Sequence, residues 1–242
     1  TMKMKRDKIQ IMLLNRAKNY DDPTTPEMVI LNMISDSPII YGDEMDQYDN
    51  ICFENVVVGV SNRLYIERRD ISMAYSGVKR KYLQLFNEFI RANLPPLKEE
   101  DYIKFPFLAP RPANEPIVIF SRRIAGDIVT GRSAFNEQQM IDYLTDPNRY
   151  KYAKYVHSVD FMTMTGLQQQ HTLSQPSTIF TGMFGATFAH LFWMNPKGST
   201  AIMWRNEVLQ NRIYDVVADL AGIRFITLTL HREQCAISGT AE

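Results

Sequence analysis

The 242 residues are enough for one large domain or two small ones. Hydrophobic residues make up 45% and charged residues 22%, a balance that excludes a disordered, collagenous or coiled-coil chain. Lys plus Arg and Asp plus Glu number 27 each, so the formal net charge is zero and the basic excess of a general nucleic-acid binder is missing.

The elements alternate along the chain. Lys8 to Leu14 carries Ile9, Ile11 and Leu13 and predicts a short buried strand. Thr24-Thr25-Pro26-Glu27 then supplies a Thr cap, a first-turn proline and an early acid, so a helix is expected with Met28, Leu31 and Met33 on it. Ile51 to Val60 is rich in β-branched residues and predicts a strand. Gly77 to Leu94 places Tyr82, Leu83, Phe86, Phe89 and Ile90 near helical spacing, the pattern of a long amphipathic helix.

Lys104 to Pro116 holds four prolines in thirteen residues. That density opposes regular helix and favours an extended linker, so a lobe boundary is expected there. Beyond it, strands are predicted at Ile117–Ser121, Tyr155–Phe161, Ser177–Thr181, Thr200–Trp204 and Ile223–Leu230. Helices are predicted between them, at Ser133–Leu144, Gly166–Leu173, Thr187–Met194 and Val208–Ala221, the last stopped by Gly222. Alternation of this kind means βαβ units and a parallel sheet. The expected fold is α/β with two Rossmann-like lobes, an N-terminal lobe over 1–110 and a C-terminal lobe over 111–242, meeting across a cleft near the proline-rich segment.

Several chemistries lack support. His157, His171, His190 and His231 are scattered, there is no Cys-x-x-Cys, and Cys52 and Cys235 are too few for a disulfide scaffold. Whether those two cysteines pair is open from sequence. No Walker or Gly-x-Gly-x-x-Gly loop occurs, and no Asp-x-Asp that would hold a divalent ion on a diphosphate. The acids around Asp43 read as a solvated loop. Tyr150, Tyr152 and Tyr155 alternate with lysines as on a half-exposed strand, and Trp193 and Trp204 read as core. No run approaches the ~20 apolar residues of a membrane span, so no transmembrane segment is expected. No signal peptide is visible, and the opening Thr1-Met2-Lys3 reads as the start of a segment of a longer protein or of a cut gene model.

One segment can hold an anion. In Ser177 to His190 a strand leads into Gly182 and Gly185, then the small residues Ala186 and Thr187, then a helix. Backbone N–H groups at such a start favour negative charge, although a plain strand-to-helix turn has the same spacing. Arg122 and Arg123 follow the Ile117–Ser121 strand at its carboxyl end, where open α/β sheets bind ligands, and Arg132 lies on the next loop. Guanidinium groups can meet a diphosphate where no metal does.

The order of these pieces resembles glycosyltransferase family 61. It runs Ser121-Arg122, Arg132-x-x-x-Asn136-Glu137, Val159-Asp160-Phe161, Gln169, Gly182-Met-x-Gly185-Ala186-x-x-x-His190-Leu191-Phe192, and a closing Ala221-Gly-Ile-x-Phe-Ile-Thr227. Within that family it is most similar to the branch of EGF-domain-specific O-GlcNAc transferases. The likeness spans about residues 8–230 and is strongest over 117–229. It implies a GT-B fold and an inverting, metal-independent transfer of a sugar, GlcNAc from UDP-GlcNAc in the nearest branch, to a Ser/Thr hydroxyl of a secreted or surface protein. No cofactor beyond the UDP-sugar donor is implied. The first lobe, here incomplete at its start, would face the acceptor. In the second lobe Arg122, Arg132, Gln169, Gly182, Gly185, Ala186 and His190 would bind the donor. The compartment implied is the lumen of the endoplasmic reticulum or Golgi. The chain departs from the family pattern at Phe184, where the family has His, at Thr187, where it has Gly, at Gln168, where Glu is usual, and at Met203, where Glu is usual. No catalytic base is identifiable. A degenerate member that binds without turnover is therefore the alternative, and a small-ligand-binding α/β domain outside the family a third reading.

Overall fold

The computed structural model describes residues 6–13, 25–47, 80–122, 137–146, 148, 155–206 and 213–230. The strand expected at 51–60, Cys52, Cys235, Arg123, Arg132, Asn136 and the tyrosines at 150 and 152 lie outside them. The described part is mixed α/β and contains two separate parallel sheets.

The smaller sheet is one βαβ unit. Strand β1 (Met12–Leu13) pairs in parallel with β2 (Ile40–Tyr41), and helix α1 (Pro26–Ile34) connects them. Thr25 caps α1 in extended conformation, its hydroxyl accepting from the Met28 N–H at 3.4 Å, with Pro26 in the first turn as its sequence dictates. Met28 and Met33 are buried. Of the strand expected over 8–14, the described residues form strand at Met12–Leu13, and Lys8 belongs to a 3₁₀ turn over Arg6–Lys8.

The larger sheet has five parallel strands: β3 (Ile117–Ser121), β4 (Tyr155–Val159), β5 (Thr178–Met183), β6 (Thr200–Asn206) and β7 (Arg224–Leu230). Their spatial order is β4-β3-β5-β6-β7. Ile117, Val118, Ile119 and Phe120 are at most 5% exposed, as a central strand covered on both faces requires. On one face lie α5 (Gly166–Ser174), the 3₁₀ segment Ala186–Trp193, α6 (Ile213–Ala221) and α2 (Arg80–Asn93), packed on one another. The crossover through α4 (Glu137–Thr145) runs the opposite way along the sheet, and α4 packs on β4. Gly222 ends α6 with φ +75°, the left-handed conformation glycine adopts without penalty.

The segment expected as an α-helix at 187–194 is 3₁₀ instead. Phe188, Leu191 and Met194 are all fully buried, at a spacing of three residues. Three residues per turn put them on a single stripe, which the 3.6-residue α-helix would spread apart.

The proline-rich segment also differs from an extended linker. Helix α3 (Glu99–Lys104) and a 3₁₀ turn at Pro106–Leu108 precede the prolines at 110, 112 and 116. Phe105, Phe107 and Leu108 join the core of the larger sheet. The Arg111 guanidinium donates to the carbonyls of Glu115 and Pro176 and to Gln175 Oε1, which ties the segment down. Contacts also cross position 110: α2 packs on α6, Arg91 Nη1 donates to the Met194 carbonyl at 3.1 Å, and α1 packs on α5.

Two buried polar groups make this core testable. Asn87 on α2 is 1% exposed, and neither atom of its amide has a hydrogen-bond partner. An unsatisfied buried polar group costs on the order of 1–3 kcal/mol. Asn87→Leu should therefore raise the melting temperature by roughly 2–10 °C in a chain of this length; a thermal melt showing a lower midpoint would contradict it. His157 on β4 lies 5.2 Å from the Phe107 ring, with Nε2 buried and unpartnered, and burial pushes its pKa below the ordinary 6.5. Folding thus favours neutral imidazole. The stability this contributes is present above pH 6.5 and is lost as pH falls through the lower folded value. Melts at pH 7.5 and pH 5 should show a smaller acid-induced drop for His157→Phe than for the wild type; equal drops would exclude this role.

Candidate ligand site at the carboxyl edge

In a doubly wound sheet the ligand crevice lies outside the carboxyl ends of the strands, where successive crossovers leave in opposite directions. Here that point is between β3 and β5. The chain goes from β3 outward to β4, then returns past β3 to β5.

Both strands end there with polar or small residues. Ser121 is in register with Gly182. A Cβ on Gly182 would stand 2.9 Å from the Ser121 Cβ and 3.2 Å from its carbonyl oxygen, so glycine is needed for close approach. The Ser121 hydroxyl is hydrogen-bonded to the Thr187 hydroxyl at 3.0 Å and joins the end of β3 to the first turn after β5. Gly185 caps the 3₁₀ segment in extended backbone, with no side chain over the turn. Ala186 is exposed and Thr187 half-buried. Arg122 follows directly, exposed, with its N–H donating to the Val159 carbonyl at 2.8 Å. Continuing the register puts Arg122 beside Met183, about 8 Å from Gly185 at ordinary strand rise and spacing.

Gln169 and His190 meet at Phe161, two residues past the Val159 carbonyl that accepts from Arg122. Gln169 Nε2 donates to the carbonyls of Phe161 (2.8 Å) and Met164 (3.0 Å), closing the turn after β4. The His190 ring stacks on Phe161 at 5.6 Å and 19°. Gln168 is a helix-capping residue. Its N–H donates to the Thr165 hydroxyl, its Oε1 accepts from the Thr165 N–H at 2.8 Å, and its Nε2 donates to Asp101. That bond leads the causes that hold the Asp101 carboxyl below its usual range. The capping pattern Thr165-x-x-Gln168 was legible in the sequence.

Phe184 sits over the aromatic floor, 5.3 Å from the Tyr214 ring, with its N–H donating to the Trp204 carbonyl at 2.7 Å. Trp204 is in edge contact with Phe120 at 6.0 Å, and Trp193 contacts Phe192. Asp160, at the carboxyl end of β4, was not singled out as a site residue by sequence. Its Oδ1 accepts from the Met162 N–H at 3.0 Å, and its Oδ2 is buried without a partner. Among the described residues no three His, Cys, Asp or Glu side chains converge as metal ligands, and no helix is long and apolar enough to cross a membrane.

The chain matches no family model, no curated protein and no solved structure.

Gly182→Ala forces a Cβ onto the end of β3 and should cost about 1–3 kcal/mol of stability. Ser121→Gly in the same chain removes the nearer clash and should recover part of it. Urea titration of the single and double variants measures both; a silent Gly182→Ala would show that the strand ends are not this closely opposed.

Proposed function

We propose that this edge binds a nucleotide diphosphate sugar and that the chain is an inverting, metal-independent glycosyltransferase of GT-B type. The observation that carries this is the meeting of Ser121-Arg122 with the Gly182–Thr187 turn at the switch point of the sheet. The likeness to glycosyltransferase family 61 supplies the substrate class: UDP-GlcNAc as donor and a Ser/Thr hydroxyl of a protein in the secretory lumen as acceptor. The 111–242 region would hold the donor and the 1–110 region face the acceptor. In the transfer, the acceptor oxygen attacks the anomeric carbon while its bond to UDP breaks. Arg122 and the N–H groups of the Gly185 turn meet the charge that grows on the departing diphosphate. Asp160 Oδ2 receives the acceptor proton.

A second reading, binding without turnover, is favoured by two observations. The Thr187 hydroxyl accepts from Ser121 and puts a branched side chain on the turn where the family has Gly, and the Phe184 ring packs on Tyr214 at the place where the family carries an imidazole. A phenyl ring cannot donate the hydrogen bond that an imidazole can.

Calorimetric titration with UDP-GlcNAc, paired with a transfer assay, tests both. Wild-type binding should be weak, and Arg122→Gln should weaken it a further ~10- to 150-fold, the value of one charge-assisted hydrogen bond. Phe184→His with Thr187→Gly should strengthen it. Asp160→Asn keeps the Oδ1 acceptor of the turn, so it should leave binding intact while cutting turnover by about 10²- to 10⁴-fold. Absence of turnover in every variant, with binding retained, selects the second reading. Absence of binding in all of them removes both.

A further inference from the structure

A second group of polar atoms lies on the same edge, two strands from Arg122. Strand side chains alternate between faces, so Met203 and Arg205 of β6 share a face with their register partners Thr227 and Thr229 of β7. It is the helix-covered face, because Met203 and Phe225 belong to its core. On that face Arg205 Nη1 and Thr227 Oγ1 are both buried, and neither has a hydrogen-bond partner. Among the described residues no carboxylate forms an ion pair with Arg205. Arg205 and Thr227 are diagonal neighbours across the pair, a separation that an arginine side chain spans. One strand back, Phe184 continues the β5 register beside Arg205, next to the Gly185 turn.

A guanidinium nitrogen buried with no acceptor lowers the stability of the fold, and a buried hydroxyl in the same state adds to that loss. Two such donors on one face, at the edge where α/β sheets bind ligands, both lack an oxygen acceptor. We propose that Arg205 and Thr227 form an oxyanion subsite, which takes a phosphate or carboxylate group of a ligand lying along the carboxyl ends of β5, β6 and β7. The guanidinium supplies the charge and the hydroxyl a directed hydrogen bond. This subsite extends the edge beyond Arg122 and does not require that the ligand be a nucleotide sugar.

The test uses inorganic pyrophosphate and malonate as separate probes, read by calorimetry and by the ligand-induced rise in melting temperature of the full chain. Wild type should bind at least one of them, and the stronger probe identifies phosphate or carboxylate as the preferred group. Arg205→Met should weaken that binding about 10- to 100-fold, while its ligand-free melting temperature stays level or rises, because an unpaired buried nitrogen has been removed. Thr227→Val should weaken binding by less, in the same direction. Unchanged affinity in Arg205→Met overturns the proposal. So does a wild type that binds neither probe, and so does an Arg205→Met chain whose ligand-free melting temperature falls, which would make Arg205 a structural residue. If pyrophosphate binds through Arg205 and UDP-GlcNAc does not bind, the subsite stands and the nucleotide-sugar reading falls. If UDP-GlcNAc binds equally to wild type and Arg205→Met but is lost in Arg122→Gln, the reverse holds.

Discussion

Strand β3 has no solvent-facing side along its first four residues, and that burial governs the rest of the structure. Ile117 to Phe120 must be covered above, below and on both edges. Parallel partners β4 and β5 take the edges, and each can be reached only through a crossover. Because the two crossovers depart on opposite sides of β3, its carboxyl end is left in the gap between them. The place of Ser121-Arg122 at the switch point thus follows from how a central parallel strand is buried.

Close approach of the backbones marks that point. Gly182 brings β5 against Ser121 without an intervening Cβ, and the Ser121–Thr187 hydroxyl pair ties the two strand ends. The turn that follows is 3₁₀, with one side filled by Phe188, Leu191 and Met194 and the first turn left to small residues. Apolar packing behind the turn fixes its place at the edge. The aromatic chain from Phe161 through Phe180 and Phe188 to Tyr214 continues that support under the whole edge.

The same edge carries polar groups whose needs the fold leaves unmet. Asp160 Oδ2 and Arg205 Nη1, near the carboxyl ends of β4 and β6, and Thr227 Oγ1, level with Ser121 in the sheet register, are buried and unpartnered. Buried polar atoms are normally satisfied, and departures from that rule gather where a fold trades stability for recognition. His157, by contrast, lies mid-strand against Phe107, and Asn87 sits on a helix away from the edge; both act on stability alone.

Local pattern was enough to place much of the fold. The apolar run at Ile117–Phe120, the Thr25-Pro26 helix start and the Gly222 stop each act within a few residues of themselves, so they were legible without a structure. Other features were written in the sequence and were misread or passed over. The three-residue spacing of Phe188, Leu191 and Met194 specified 3₁₀ against α, and Thr165-x-x-Gln168 specified a capping box. The prolines of 104–116 were read as a spacer because proline constrains only local backbone, whereas Arg111 and Phe107 anchor the segment through residues 64 to 68 positions away. Only the tertiary structure decided the strand order, and with it the pairing of Ser121 with Gly182 and of Met203 with Thr227. Register between distant strands is a long-range choice, made by how whole faces pack. That choice holds Gln169 and His190 at Phe161, two residues past the Val159 carbonyl that Arg122 N–H bonds, and it brings Arg205 and Thr227 to one face where no local motif announced them.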